Sequence, residues 1–293
     1  MNSIMMLHRA QAGYLAAQGS GSKYIKFADP AVEAVLLAKG VSSDGIGITV
    51  ADAEKVTSIG TWFKGNTEIT SFDEFEKFTG VTRLIGGSDS SGLGTFRLCS
   101  NLESLTLPPT VDTLEKNCCA YCPKLVIQNL PAAITTINES AFSGALAAPE
   151  DIVLPNLQVL DGAAFRNVGG IKRVLVLGKI TTLSGGGSIA TNSSVFYGCA
   201  DLELLIVPTT VTSLAKGAIS YMPSLKNIVF KSATPPSYGY SSIYNLTALE
   251  AIYVPDASVD SYKTGTGYAS YSTKIMGFSQ MPTTLYNEIK DYL

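Results

Sequence analysis

Three cysteines crowd into five residues, Cys118-Cys119-x-x-Cys122, with Cys99 and Cys199 further off. Thiolates at such a spacing are the material of a zinc site or of redox chemistry. A zinc site needs a second ligand pair, however, and the chain's single histidine is His8, far from the cluster. The same shortage rules against a Ser-His-Asp or Cys-His nucleophile, which needs an imidazole beside it. Carboxylates at Glu103, Glu139, Glu150, Asp161 and Glu203 could in principle supply the two groups of a glycosidase. Glu103 and Glu203 fall on strand positions that should face solvent on separate turns of the chain, and nothing local gives any of them a pocket. Gly185-Gly186-Gly187 suggests a phosphate cradle, but no Gly-Lys-Ser/Thr follows it. The residues therefore predict no catalytic set, no metal and no cofactor.

The cysteines acquire a different meaning once the surrounding pattern is laid out. One position recurs as Phe96, Cys119, Phe142, Phe165, Phe196, Ile219 and Ile243, in steps of 23, 23, 23, 31, 23 and 24 residues. Three residues after each stand Cys99, Cys122, Ala145, Val168, Cys199, Met222 and Leu246. Further on come Leu114, Ile137, Leu160, Leu183 and Leu214, and Pro108, Pro131, Pro155 and Pro208 recur where a short strand should end. A fixed period of this length marks a solenoid, whose units bury their apolar faces only against one another. The five cysteines then read as small buried side chains, with Cys119 in a phenylalanine slot. Each of about seven coils is expected to supply one short strand, paired in parallel with its neighbours.

The pattern F-x-x-C-x-x-L-x-x-L-x-L-P-x-x-V-x-x-L, at 96–114 and again from Phe196 through Val207-Pro208 to Leu214, resembles the BspA-type bacterial leucine-rich repeat. The resemblance implies a leucine-rich-repeat solenoid of short parallel strands, turns and short helical segments, with small helical caps at both ends. It also implies a surface adhesin that grips a protein or glycan. On this reading the chain divides into a leader or docking arm (1–22), an N-terminal cap (23–95), the solenoid (96–254) and a C-terminal cap (255–293).

In the N-terminal cap, Asp29-Pro30 through Gly40 carries the start and stop signals of a helix. Residues 41–54 resemble the calcium loop of EF-hand and dockerin-type segments, but Val41 and Gly45 stand at ligand positions that need carboxylates, so the loop reads as a capping relic. Phe72, Phe75 and Phe78 are read as a plug over the first coil.

Composition narrows the function. Charged residues are only 15% with a formal net charge of -3 and no basic stripe, which argues against nucleic acid. No apolar run reaches membrane-spanning length. The first ten residues lack a secretory signal's basic start and long apolar core, so either a signal was removed or export is not used. The first case fits an extracellular or cell-surface adhesin. The second fits a virion or prophage tail component docked through residues 1–22; a structural spacer is the remaining alternative.

Candidate binding residues come from two places. An excess of 8 residues between Phe165 and Phe196 makes a loop containing Gly186 and Asn192, and insertions in repeats often lie on a binding face. Nine of the fourteen tyrosines follow Pro236, and Tyr238, Tyr240 and Tyr244 sit in or beside a Gly/Pro/Ser loop where they could be presented to a partner.

Overall fold

A computed structural model describes residues 22–88, 92–184 and 194–293. The chain winds as a parallel-strand solenoid of about seven turns, and the register is the one the repeat predicts. Leu84 lies opposite Leu114, Leu114 opposite Ile137, Ile137 opposite Leu160, and Leu183 opposite Leu214. These ladders, with the phenylalanine series, form one continuous dry column. Phe142, Phe165 and Phe196 are fully buried and stack coil on coil at 5.5 Å between centroids.

One expectation needs correction: a coil carries two strand ladders, not one. The first is a long sheet of Asp151–Val153, Arg173–Val176, Leu204–Val207, Asn227–Phe230, Ala251–Val254 and Ile275–Gly277, preceded by a shorter one of Ser71–Phe72, Ser104–Leu105 and Val126–Ile127. The second lies after the proline corner, as Arg83–Leu84, Thr113–Leu114, Thr136–Ile137 and Val159–Leu160, then Thr182–Leu183, Ser213–Leu214 and Ser237–Tyr238. Ile219–Ser220 and Ile243–Tyr244 add a third, two-stranded ladder. Two-residue strands exist only because the neighbouring coil supplies their partners, so no local propensity announces them.

The corners follow from the backbone. Proline ends the strand and its carbonyl closes a tight turn, accepting from Val111, Ile134 and Val211 three residues beyond Pro108, Pro131 and Pro208 at 3.1 Å each. Residues 59–88, which the repeat count leaves within the cap, already run as a coil. Phe63 occupies the phenylalanine slot and stacks on Phe96 at 5.6 Å, and Ser71–Phe72 pairs with Ser104–Leu105.

Helix α1 (Pro30–Ala38) and α2 (Val50–Glu54) cover that first coil, and Phe72, Phe75 and Phe78 are fully buried beneath them. Asp29 caps α1 through Ala31 N–H and also accepts from Thr70 N–H and Oγ1, tying cap to coil. At the other end α3 (Val259–Thr264) closes the stack, and α4 (Thr283–Ile289) folds back over the outer face of the long sheet. In residues 41–54 the acids serve the local backbone. Asp44 accepts from Ile46 N–H, Tyr24 Oη and Lys23 Nζ, and Asp52 forms a capping box with Thr49. The leader, apart from Ser22, and His8 lie outside the described residues. No helix among those described is long and apolar enough to cross a membrane.

Candidate functional site

Each coil turns a corner at its phenylalanine slot. The aromatic or aliphatic side chain enters the column, and the residue two places later takes a left-handed conformation: Leu98 (φ 65), Tyr121 (61), Gly144 (76), Asn167 (56), Gly198 (71), Tyr221 (56) and, in the last coil, Asn245 (52). Corner amides donate to the next coil's carbonyls, as from Leu98 to Ala120, Tyr121 to Ser143, Asn167 to Tyr197 and Tyr221 to Tyr244. Backbone groups are thus satisfied along the stack, and side chains beside the buried slot point outward.

Glycine and asparagine suit positive φ; leucine and tyrosine there are strained by about 1–2 kcal/mol. The chain nevertheless places bulk at this corner. Tyr197, Tyr221 and Tyr244 stand on three successive coils, with ring centroids 4.9 and 5.7 Å apart. At the opposite end of the row Tyr121 is about half exposed (48%), with the Arg97 guanidinium 5.2 Å over its ring, and Leu98 is exposed beside it. Tyr121 is both exposed and left-handed, Tyr221 left-handed and half-buried, and an exposed aromatic on a strained, over-determined backbone is a pattern found at recognition sites.

The predicted tyrosines divide. Tyr244 belongs to this row and is exposed. Tyr240, in the same coil, is 73% exposed with Lys216 Nζ 5.5 Å from its ring centroid. Tyr238 does not meet the expectation of a presented side chain. Its hydroxyl donates to Ile243 C=O at 3.1 Å and accepts Ile243 N–H at 3.0 Å, and its ring packs edge-on against Tyr268. The backbone of Gly267 presses so close that a Cβ there would lie 2.2 Å from the ring. Tyr238 is packing for the end of the column, and burial raises its phenol's pKa. Gly186 and Asn192 lie outside the described residues. Tyr121, Tyr197 and Tyr221 stand one or two positions after the apolar slots Cys119, Phe196 and Ile219, outside the apolar series that marks the repeat.

The groups with chemical potential are occupied. All five cysteines are buried and unpaired by disulfides. Cys99, Cys122 and Cys199, at one repeat position, donate Sγ–H to the carbonyls of Phe63, Phe96 and Phe165 at 2.9–3.0 Å. Burial pushes each of these thiols up to about 12, so none is a thiolate at neutral pH. Among the described residues no cluster of three or more acids, cysteines or histidines is placed to hold a metal. Glu150 pairs with Lys172, Glu203 with Lys226 and Glu139 with Lys116 at 2.6–2.8 Å, all on the surface, and Glu103 lies 3.9 Å from Lys124. Asp161 is raised by burial and then by Glu139.

Residues 88–186 and 189–289 match the BspA type Leucine rich repeat region, in six copies. The chain belongs to this family. Two solved structures are similar to the BspA-type chain. A leucine-rich repeat protein from Bacteroides ovatus ATCC 8483 has 18% identity over 76% of this chain and 66% of that one, with a TM-score of 0.43. A leucine rich cell surface protein from Faecalibacterium prausnitzii A2-165 has 18% identity over 76% and 69%, with a TM-score of 0.31. The chain thus spans about two thirds of the length of each. No curated protein matches the sequence. The family assignment covers the repeats; the EF-hand-like character of residues 41–54 finds no counterpart in it.

Proposed function

We propose that this BspA-type repeat is a non-enzymatic binding module that presents a rigid corner of tyrosines to a protein or glycan partner at a bacterial surface. The observation that carries this reading is the row Tyr197–Tyr221–Tyr244, with Tyr121 and Tyr240 exposed elsewhere on the same scaffold. Tyrosine offers a large apolar face and a polar tip at low cost in side-chain entropy, and a backbone zipped coil to coil loses little more on contact. The surface location rests on membership of the family.

A screen of purified protein against surface glycans and extracellular proteins tests this. At least one ligand is expected to bind, and the triple substitution Tyr197→Ala, Tyr221→Asn and Tyr244→Ala is expected to weaken it at least tenfold, with melting little changed. Asparagine is native at this position in the coils of Asn167 and Asn245, so the turn survives. A ligand bound equally well by the triple variant removes this corner as the site.

A further inference from the structure

A cation heads the tyrosine row. Arg166 stands one residue after Phe165, as Tyr197 stands one residue after Phe196, so the two hold the same place on adjacent coils. The coils are zipped there: Phe165 N–H donates to Val195 C=O at 2.9 Å, and Asn167 N–H to Tyr197 C=O at 2.7 Å. Arg166 is half-buried and has no internal use. Arg83 pairs with Glu115, Arg173 with Asp151 and Glu288, and Arg97 lies over the Tyr121 ring. Among the described residues Arg166 pairs with no carboxylate and stacks on no ring, and its Nε is buried without an acceptor. Asp201, in the next coil, accepts instead from Gly170 N–H at 2.8 Å. Folded chains leave few buried polar atoms unpartnered, and a charged one costs most.

The groups beside Arg166 are uncommitted in the same way. In the C-terminal cap the hydroxyls of Tyr262, Tyr268 and Tyr271 donate to the carbonyls of Ser232, Pro236 and Ile243 at 2.8–3.0 Å. Among the described residues those of Tyr197, Tyr221 and Tyr244 make no hydrogen bond, and neither do the side-chain amides of Asn167 and Asn245, which are exposed at left-handed corners on either side of the row. Asn167 Oδ1 lies over Gly198, where a Cβ would stand 2.2 Å from it.

We propose that this corner binds a glycan bearing a carboxylated sugar, with the carboxylate on Arg166 and sugar rings along the tyrosines. The inference rests on the tyrosine row being the binding surface and names the class of its ligand. A guanidinium is a planar fork that matches a carboxylate through two parallel hydrogen bonds. A tyrosine offers its ring to the C–H face of a sugar and its hydroxyl to the sugar's rim, and the amides add donors and acceptors. Protein partners are held mainly by anchors in fully desolvated pockets. A line of partly exposed rings with free polar tips suits sugars better.

The test presents the full chain with uronic- and sialic-acid oligosaccharides, each beside its methyl ester. At least one carboxylated glycan is expected to bind, and its ester at least tenfold more weakly. Arg166→Gln should lose at least tenfold toward the acid and little toward the ester, with Arg166→Lys in between, whereas Tyr221→Asn should weaken both forms alike. Equal binding of acid and ester overturns the proposal, as does a preference for the acid that survives Arg166→Gln. An empty glycan screen also overturns it, while a protein ligand lost in the triple tyrosine variant would leave the tyrosine surface standing. A carboxylated glycan held equally well by that triple variant sinks both readings. Should Arg166→Gln fail to fold, Arg166→Lys decides, since undiminished binding of the acid there removes the guanidinium from the site.

Discussion

At the residue scale, the phenylalanine slot sets stability. Phe142 has no exposure and stacks on Phe165 in the column, so Phe142→Ala should cost about 3–5 kcal/mol in urea unfolding. Tyr121→Asn should cost less than about 1 kcal/mol, because relief of a left-handed tyrosine offsets the lost contact with Arg97. The buried thiols make stability depend on pH in a defined direction. Well below pH 8 the thiols of Cys99, Cys122 and Cys199 are neutral in both folded and unfolded chains. Between about 9 and 12 the unfolded chain ionises and binds fewer protons than the folded one, so stability should fall as pH rises through that window. Thiol reagents at pH 8 should likewise label the five cysteines only on unfolding. Asp29 acts at the other end of the scale. Burial alone would raise its pKa, but hydrogen bonds from Thr70 and Ala31 outweigh it and the net shift is downward. Its contribution is therefore full above about pH 4 and is lost as pH falls through the folded-state value. Asp29→Ala should cost about 1–3 kcal/mol at neutral pH, with the gap to wild type closing in acid.

At the element scale, the short and the long sheet of the first ladder differ in a way the residues record. Ser104-Leu-Thr-Leu107 alternates polar with apolar, as a half-exposed strand should, whereas Leu204-Leu-Ile-Val207 and Ala251-Ile-Tyr-Val254 are apolar on both faces. Unbroken apolar runs belong to strands covered on both sides. The change of pattern along the chain thus signals where a second layer must lie, although not which segment provides it. The residue just before each of the first five long-sheet strands alternates in sign: Glu150, Lys172, Glu203, Lys226 and Glu250. These groups are about half exposed, so the ladder adds little to stability. Glu203→Lys, which puts three cations in a row, should destabilise by no more than about 1 kcal/mol at low salt, and by less at high salt in thermal melts.

At the scale of the whole molecule, the stack runs further than its recognisable repeats. Phe63 opens a coil in which most slots have lost their consensus residues, yet Cys99 Sγ still finds Phe63 C=O and Phe96 still finds its ring. A coil needs only the right side-chain volume at a few slots, so the fold persists after the motif fades. The same tolerance explains Cys118 and Cys119, which fill space between the Phe63–Phe96 and Phe142–Phe165–Phe196 stacks. Two thiols that look like chemistry in the linear chain are packing in three dimensions.

The amino-acid order alone settled the axial architecture: the period, the slots that face the column, the register of Leu114 on Ile137 and Leu160, and the burial of every cysteine. Those follow from a repeat, since identical units offer one way to bury identical faces. Tertiary structure decided what repetition leaves free. It decided that two-residue strands pair on a second face, because such strands have no existence apart from their neighbours. It also decided that Tyr238 packs inward while Tyr197, Tyr221 and Tyr244 align outward, and that residues 281–293 fold back over the long sheet. Those outcomes depend on contacts between residues far apart in the chain, which no periodicity encodes.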